Sequence, residues 1–370
     1  MEEMDKDRMA QYKVSKCAFS TAAGKKRRAP RLFLAGLLAL FMAAGFGLGF
    51  GSCQSSAATA EEYFSLGMAF FDLGNFEEAE RWLNRARSAD RTMVASEYNL
   101  GRIAFERNRF QEAAGHFEGI LRRDPDNVLA LQAAAFTRIM TGDLDLAEAH
   151  YDRVLTLIPD SADNGFNHAL VLFAMGRYSQ AEEVLARFPF ALLENGDTQL
   201  LFARVQAAQD NIEAINSFET WLSENDDPRV RYEYARVLEN HAFFARALEE
   251  YRLALSDFVF HPDIRRGDIR FGVARVLLVA DSDSQQGIVE LETAIEEGFD
   301  NIEAVQALAG NMAISANNRD RLRMIAGEMQ RGVQQGVPPA IEALPAEEFD
   351  PAHFDAAQFD AAQFYELPNW

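Results

Sequence analysis

Cysteine is scarce in this chain of 370 residues, which holds only Cys17 and Cys53. Two thiols so far apart exclude a disulfide framework and a cysteine-based zinc site. Long serine, proline or glycine tracts are also missing, and 48% of the residues are hydrophobic. The chain is therefore long and apolar enough to form a large folded body without cross-links.

The motifs of common catalytic sites are missing as well. The sequence contains no glycine-rich phosphate loop, no nucleophile elbow, no zinc-protease histidine pair and no Cys-x-x-Cys. Its many carboxylates offer acid–base pairs everywhere, and without a pocket such pairs indicate a solvated face. We therefore expect a protein that is not an enzyme and has no cofactor.

Positive charge is scarce beyond the first 31 residues. The formal net charge is −21, and residues 1–31 carry nine Lys and Arg against four Asp and Glu, which leaves −26 for the rest. A body this acidic does not attract a phosphate backbone. Nucleic acid is therefore not an expected partner.

The amino-terminal residues have the profile of an export signal. A basic n-region, 1–31, precedes an uncharged run, 32–52, whose first thirteen residues are rich in Leu, Ala and Phe and whose last eight are half glycine. A basic segment, a short apolar segment and small residues are the parts of a signal peptide. A retained membrane-spanning helix, which needs about 20 apolar residues, is the alternative. Both interpretations place everything that follows outside the cytoplasm.

Residues 60–193 consist of four blocks of 34 residues with no insertion between them. Small residues, large residues and glycines each recur in register at this step; the columns are Ala79, Ala113, Ala147 and Ala181, then Leu83, Phe117, Tyr151 and Leu185, then Gly74, Gly142 and Gly176 with Asn108 in the second block. In each block two apolar stripes at helical spacing flank the glycine, which predicts two short helices. Neither helix can bury its stripe alone, so neighbouring pairs are expected to stack.

A 34-residue period with these small and aromatic markers resembles the tetratricopeptide repeat family. The resemblance implies an all-α solenoid of helix-turn-helix pairs, wound as a right-handed superhelix, whose work is protein binding. The repeats continue less regularly beyond residue 193, and we predict an array over 60–335 with about four irregular repeats after the four regular ones. The last repeats are expected to cap the stack.

The end of the apolar run, Phe50-Gly51-Ser52-Cys53, resembles a bacterial lipobox of the relaxed, spirochaete type. The resemblance implies that Cys53 is acylated and becomes the new amino terminus, with residues 53–59 as a short tether. More than one acyl chain would make the attachment lasting. We therefore expect an exported lipoprotein that faces the periplasm and is anchored by Cys53 or by the retained helix.

In this family the first helix of each repeat lines a concave groove, and here three columns on those helices are mostly apolar. We predict a partner-binding groove formed by Phe64, Met68, Phe71, Tyr98, Arg102, Phe105, Phe136, Ile139, Phe166, Leu170 and Phe173. Exposed side chains of this kind forgo roughly 1.5–3 kcal/mol each of burial, so something should cover them. The alternative is that tight packing between repeats buries them.

Arginines concentrate in the sixth and seventh repeats. The set Arg229, Arg231, Arg236, Arg265, Arg266, Arg270 and Arg275 is a candidate docking site for an acidic segment, because guanidinium groups form forked hydrogen bonds with carboxylates. The alternative is that they pair with nearby carboxylates such as Glu233, Glu239 and Asp268.

The segment 336–370 is a low-complexity tail in which Phe-Asp pairs recur every five residues, a step that matches neither a helix nor a strand. We expect it to be disordered when free, and either to bind another protein or to dock on its own array near the arginines. A solvated acidic tail is the third possibility.

The expected function is that of a scaffold or adaptor in a bacterial envelope complex, which binds protein partners in the apolar groove. The alternative is a transporter-associated lipoprotein of the same family that holds a hydrophobic small ligand. His116 and His150 stand 34 residues apart, on equivalent positions of successive helices. Packed helices are roughly 10 Å apart, too far for one metal ion, so no metal site is expected.

Overall fold

The computed structural model of the chain describes residues 59–256, Phe258 and residues 264–334. In these residues there are seventeen α-helices and no β-strand, so the predicted all-α array is confirmed. The chain divides into two units, Met1–Ala57 and Ala58–Trp370, and the described residues all lie in the second. The predicted signal segment, the lipidated Cys53 and the tail 336–370 lie outside the described residues.

The helices follow one another as antiparallel pairs joined by short turns. The regular repeats contain α1 (Ala60–Asp72), α2 (Phe76–Ala89), α3 (Val94–Glu106), α4 (Phe110–Leu121), α5 (Val128–Met140), α6 (Leu144–Leu157), α7 (Ala162–Ala174) and α8 (Tyr178–Ala186). The remainder contains α9 (Pro189–Glu194), α10 (Gly196–Ala208), α11 (Ala214–Leu222), α12 (Pro228–Asn240), α13 (Phe244–Ser256), α14 (Arg266–Ala280), α15 (Gln285–Glu296), α16 (Ile302–Gly310) and α17 (Ala316–Gln334). Among the described helices, none is both long and apolar enough to cross a membrane.

The turn inside each pair needs one residue with a positive φ. Gly74, Gly142 and Gly176 have φ values of 71°, 75° and 71°, and Asn108 adopts 56° in the second repeat. Glycine reaches this conformation without strain and asparagine tolerates it, which explains the glycine column. The structure extends the column to Asp210 and Ala242, with φ of 55° and 61°, where the sequence has neither glycine nor asparagine.

The small column allows the two helices of a repeat to approach closely. Ala79, Ala113, Ala147 and Ala181 are fully buried, and so are the large residues four positions later. A Cβ atom added to Gly101 would stand 2.6 Å from the ring of Phe117, closer than any side chain could remain. The first helix of the second repeat therefore needs a glycine where the second helix presents Phe117.

The 34-residue step ends at α9, a helix of six residues inserted between α8 and α10. Its side chains Phe190 and Leu193 are 77% and 74% exposed, whereas Phe188 just before it is buried. After this insertion the pairing resumes, with Ala214 and Phe218 buried on α11 and Ala247 and Tyr251 buried on α13. The core is therefore continued by the later repeats with the same small-and-large pattern.

Candidate functional site

The predicted groove residues all lie on the first helices of the regular repeats, α1, α3, α5 and α7. Five of them are buried; these are Phe71, Tyr98, Phe136, Ile139 and Leu170. The other six are half-buried; these are Phe64, Met68, Arg102, Phe105, Phe166 and Phe173. The structure thus divides the set between the packed interior and a partly exposed wall.

Contacts between consecutive first helices account for the buried members. The rings of Phe105 on α3 and Phe136 on α5 have centroids 5.1 Å apart, and the guanidinium of Arg102 on α3 lies 4.6 Å from the ring centre of Phe71 on α1. Phe136 is only 3% exposed and Ile139 is fully buried. Packing between repeats, the alternative weighed from the sequence, therefore covers these side chains. A partner can reach the half-buried residues, which keep an exposed edge.

Polar groups in the groove wall are bonded within the array. Asn99 donates to the carbonyl of Ala95 at 2.9 Å and accepts a hydrogen bond from Arg102 Nη1 at 3.0 Å. Gln132 Nε2 donates to Asn164 Oδ1 at 2.9 Å across adjacent repeats. The bond to Asn99 holds Arg102 beside Phe71, so the wall presents an oriented cation among aromatic rings.

The predicted arginine site pairs with carboxylates of its own array. Arg275 on α14 bonds Glu239 on α12 through two nitrogens, one at 2.7 Å, and the side chain of Glu239 is only 11% exposed. Arg270 bonds both Glu297 and Glu290, at 2.8 Å and 2.9 Å. The hydrogen bond from Arg270 holds the pKa of Glu297 below its ordinary value of 4.5. The Arg275 pair joins helices of different repeats, whereas the Arg270 pairs lie within one helix pair, α14 and α15.

The remaining arginines of this set also pair with carboxylates of the array, with the exception of Arg236. Arg265 bonds Asp300 and Asp268, Arg266 bonds Glu297, Arg231 bonds Asp226 and Glu250, and Arg229 lies 3.9 Å from Glu233. Arg236 is exposed, and its guanidinium is 5.9 Å from the ring centre of Tyr232. The arginines are thus partners inside the array, and docking of an acidic segment on them stays a prediction.

Comparison with known proteins agrees with this geometry. Residues 64–128 and 104–164 match the tetratricopeptide repeat family. The described helices form a tetratricopeptide repeat array. The chain is 24% identical over 159 residues to an uncharacterized lipoprotein of Treponema pallidum (strain Nichols), an alignment that covers 43% of this chain and 81% of that protein.

Solved tetratricopeptide proteins are similar to the array. One is a tetratricopeptide repeat protein from Parabacteroides merdae, with 18% identity, a TM-score of 0.49, and coverage of 67% of this chain and 96% of that one. Another is YrrB, described as a tetratricopeptide protein with an unusual peptide-binding site, with 18% identity, a TM-score of 0.43, and coverage of 52% and 96%.

The two histidines at equivalent repeat positions have different surroundings. His116 Nδ1 lies 2.7 Å from Glu97 Oε1, whereas burial lowers the pKa of His150 below its ordinary value of 6.5. Both side chains are half-buried. In residues 59–256 and 264–334 no group of three or more potential ligands is arranged around a possible metal position.

Two features of the tetratricopeptide array were not predicted from the sequence. His168 on α7 is buried, and burial lowers its pKa although Glu148 Oε1 lies 3.5 Å from Nε2. The second feature is an open pocket of about 380 Å³ between the second helices of the first two repeats, which we call the arginine pocket. It is lined by Arg87, Ser88, Arg91, Glu97, Gly119, Arg122 and Arg123. The adjacent pair Arg122-Arg123 was the one sequence signal of it.

Proposed function

We propose that this protein is an exported, lipid-anchored adaptor of a bacterial envelope, which binds another protein along the half-buried wall of its first four repeats. The observation that carries the proposal is the set of half-buried aromatic rings on the first helices α1, α3 and α7, formed by Phe64, Phe105, Phe166 and Phe173. Each ring is packed on one side against the array, so it is already ordered before a partner covers the other side.

This arrangement favours a polypeptide partner. Half-buried aromatic rings gain burial when covered and lose little conformational entropy, which is the property of binding hot spots. Arg102 adds one oriented donor in the second repeat, held by Asn99 at 3.0 Å. A partner segment with apolar side chains and a carbonyl or carboxylate near Arg102 fits this wall.

The location is supported by the lipoprotein relative and by the position of Cys53 after the apolar run. Metabolic labelling with an acyl-chain analogue tests it directly. We expect labelling of the wild type and of Cys17→Ala, and no labelling of Cys53→Ala. Equal labelling of all three proteins would contradict the anchor.

Site-specific photocrosslinking tests the groove. A photoreactive residue at Phe105 on α3 should capture a polypeptide in cells, because this side chain is half-buried and lines the wall. Phe136 is too buried to carry the probe. The matched control is Leu146 on α6, a 41% exposed apolar residue of a second helix, from which we expect no adduct. Equal capture from both positions would exclude the groove as the site.

Affinity measurements with the captured partner sharpen this test. Phe105→Ala and Phe173→Ala should each weaken binding by about 2 kcal/mol, roughly thirtyfold, as hot-spot truncations do. Leu146→Ala should leave binding unchanged. Thermal melting of each variant separates lost contact from lost folding. Native mass spectrometry that finds a hydrophobic small molecule instead of a polypeptide would favour the transporter-associated alternative.

A further inference from the structure

The arginine pocket concentrates positive charge in a body of the opposite sign. Because residues 1–31 carry +5 and residues 335–370 carry −7 of the total of −21, the array between them has a net charge of −19. Four arginines and one glutamate nevertheless line this single pocket. No lysine follows Lys26, so every positive side chain of the array is an arginine with forked donors.

Three of these arginines differ from the paired arginines of the later repeats, such as Arg270 and Arg275. Among the described residues no carboxylate lies within ion-pair distance of Arg91, Arg122 or Arg123. The one carboxylate of the pocket, Glu97, is already engaged by Arg87 at 3.2 Å and by His116 at 2.7 Å. The pocket thus keeps guanidinium donors available for an added anion.

The pocket is held in shape by the array itself. Arg123 Nη1 donates to the carbonyl of Arg91 at 3.0 Å, and its Nε donates to the carbonyl of Gly119 at 3.3 Å. The first bond connects the end of α4 to the loop after α2, and the second fixes the Arg123 side chain along the end of α4. An anion in the pocket would be attracted by the positive charges of the arginines that line it.

The position of the pocket points to the source of the anion. Helix α1 begins at Ala60, and α2 runs antiparallel to it and ends at Ala89, so the start of the array and the loop with Arg91 lie at the same edge. Helix α4 ends at Leu121 on that edge too, directly before Arg122. The seven residues from Cys53 to Thr59 span at most about 25 Å.

We propose that the arginine pocket binds the phosphate of an anionic lipid headgroup in the membrane that holds the acyl anchor. This inference depends on the lipid anchor at Cys53 included in the proposed function. Guanidinium groups bond phosphate oxygens in pairs, and basic pockets at a membrane surface recognise anionic headgroups in this way. The contact would attract one edge of an otherwise acidic array to the bilayer.

Hydrogen exchange on vesicles tests the proposal. The full chain is purified from membranes and reconstituted into vesicles of phosphatidylcholine, with and without phosphatidylglycerol. We expect amides around Arg91 and Arg122 to exchange several-fold more slowly when phosphatidylglycerol is present. The double variant Arg91→Gln, Arg122→Gln should weaken this lipid-dependent binding at least about tenfold. Each arginine near an anionic surface strengthens binding roughly fivefold.

A matched control separates the pocket from net charge. Arg252→Gln with Arg331→Gln makes the same charge change at two exposed arginines that also have no described carboxylate within ion-pair distance. This variant should keep the full response to phosphatidylglycerol. An equal loss in both double variants, or equal exchange in both kinds of vesicle, would overturn the proposal.

Two further experiments test whether the pocket binds a different anion, and a third comparison separates the pocket from the lipid anchor. Glycerol 3-phosphate is added to the chain in neutral detergent; a rise in melting temperature without any lipid response would assign the pocket to a soluble phosphate. Protection by a synthetic peptide of residues 346–370 alone would assign it to the acidic tail. Both results overturn the lipid source. Loss of the anchor abolishes flotation with both vesicle types, whereas loss of the pocket contact removes only the difference between them.

Discussion

Between α1 and α5 aromatic rings join one first helix to the next, whereas between α10 and α14 ion pairs add to the apolar packing. Phe105 meets Phe136 in the regular repeats, with ring centroids 5.1 Å apart. In the later repeats Arg204 donates two hydrogen bonds to Glu233, at 2.8 Å and 2.9 Å, and Arg275 donates to Glu239. The repeats therefore stack in the same way along the array, but different interactions join them in its two regions.

The difference has consequences for binding as well as for stability. Aromatic contacts leave ring edges that a partner can cover, and their strength does not depend on salt or pH. Arginines and carboxylates that are already paired have few hydrogen bonds left for a partner. The stability that they contribute depends on the protonation of the carboxylates. This difference supports the proposal that a partner binds along the half-buried wall of the first four repeats.

The largest expected effect comes from the aromatic core of the regular repeats. Phe117→Ala should lower the free energy of unfolding by about 3–5 kcal/mol, because the ring is fully buried against Gly101 and Tyr98. Phe190→Ala is the control, since that ring is exposed on α9, and should change the stability by less than about 0.5 kcal/mol. Urea denaturation measures both. Equal losses would show that burial in this region does not determine stability.

The next effect tests the ionic stacking of the later repeats. Arg275→Met keeps an apolar stem but leaves Glu239 without its guanidinium partner, so we expect a loss of about 2–3 kcal/mol. Arg323→Met breaks an exposed pair with Asp320 and should cost no more than about 0.5 kcal/mol. A small loss for Arg275→Met would mean that this pair fixes orientation without stabilising the stack.

A smaller difference in stability is expected between variants of two tyrosines that occupy the same position in their repeats. Tyr251 Oη donates to Glu239 at 2.8 Å, so Tyr251→Phe should cost about 1–2 kcal/mol. Tyr151 is equally buried, and its hydroxyl has no hydrogen-bond partner among the described residues, so Tyr151→Phe should be close to neutral. Thermal melting of the two variants is the measurement. A reversed order would contradict the division into ionic and apolar halves.

The smallest effect is a difference in acid sensitivity. The folded pKa values of His150 and His168 lie below 6.5 because burial disfavours their charged forms, so the unfolded chain binds more protons and stability is lost as the pH falls below 6.5. Hydrogen bonds from Arg270 and Arg265 lower the folded pKa values of Glu297 and Asp300 below 4.5 and 3.8. The stability they contribute is present above those ordinary values and is lost as the pH falls through the lowered folded values.

Hydrogen exchange as a function of pH tests this order. On acidification, α6 and α7 should lose protection first, while α14 and α15 should keep it until the pH is below 4.5. His168→Gln cannot be protonated, so it should delay the loss in α7. Simultaneous loosening of both regions in the wild type would contradict the prediction.

Local spacing made the fold predictable. The alanine and aromatic columns lie within one repeat, and every repeat buries them in the same way, so a 34-residue step was enough to predict paired helices and the buried residues Ala113 and Phe117. The turn column was predicted only where it contained glycine or asparagine. Asp210 and Ala242 adopt the same left-handed conformation because the packed helices on both sides require it.

The candidate site was less predictable, because it depends on contacts between repeats. The sequence placed Phe105 and Phe136 in the same groove, and only the packing of α3 on α5 decided that one keeps an exposed edge and the other does not. The arginines of the later repeats could be counted in the sequence, but their pairing spans up to 36 residues, as in Arg275 and Glu239.

The sequence by itself determined that this chain is a helical repeat array with apolar first helices, an acidic body and a basic amino-terminal segment. These properties follow from periodicity and composition, which depend on residues that are close together in the sequence. The tertiary structure alone decided which charges are paired and which remain available. Arg122 and Arg275 look alike in sequence, and only the position of α12 beside α14 supplies a carboxylate to one of them. Charge pairing is set by distances of a few ångströms between repeats, which periodicity does not encode.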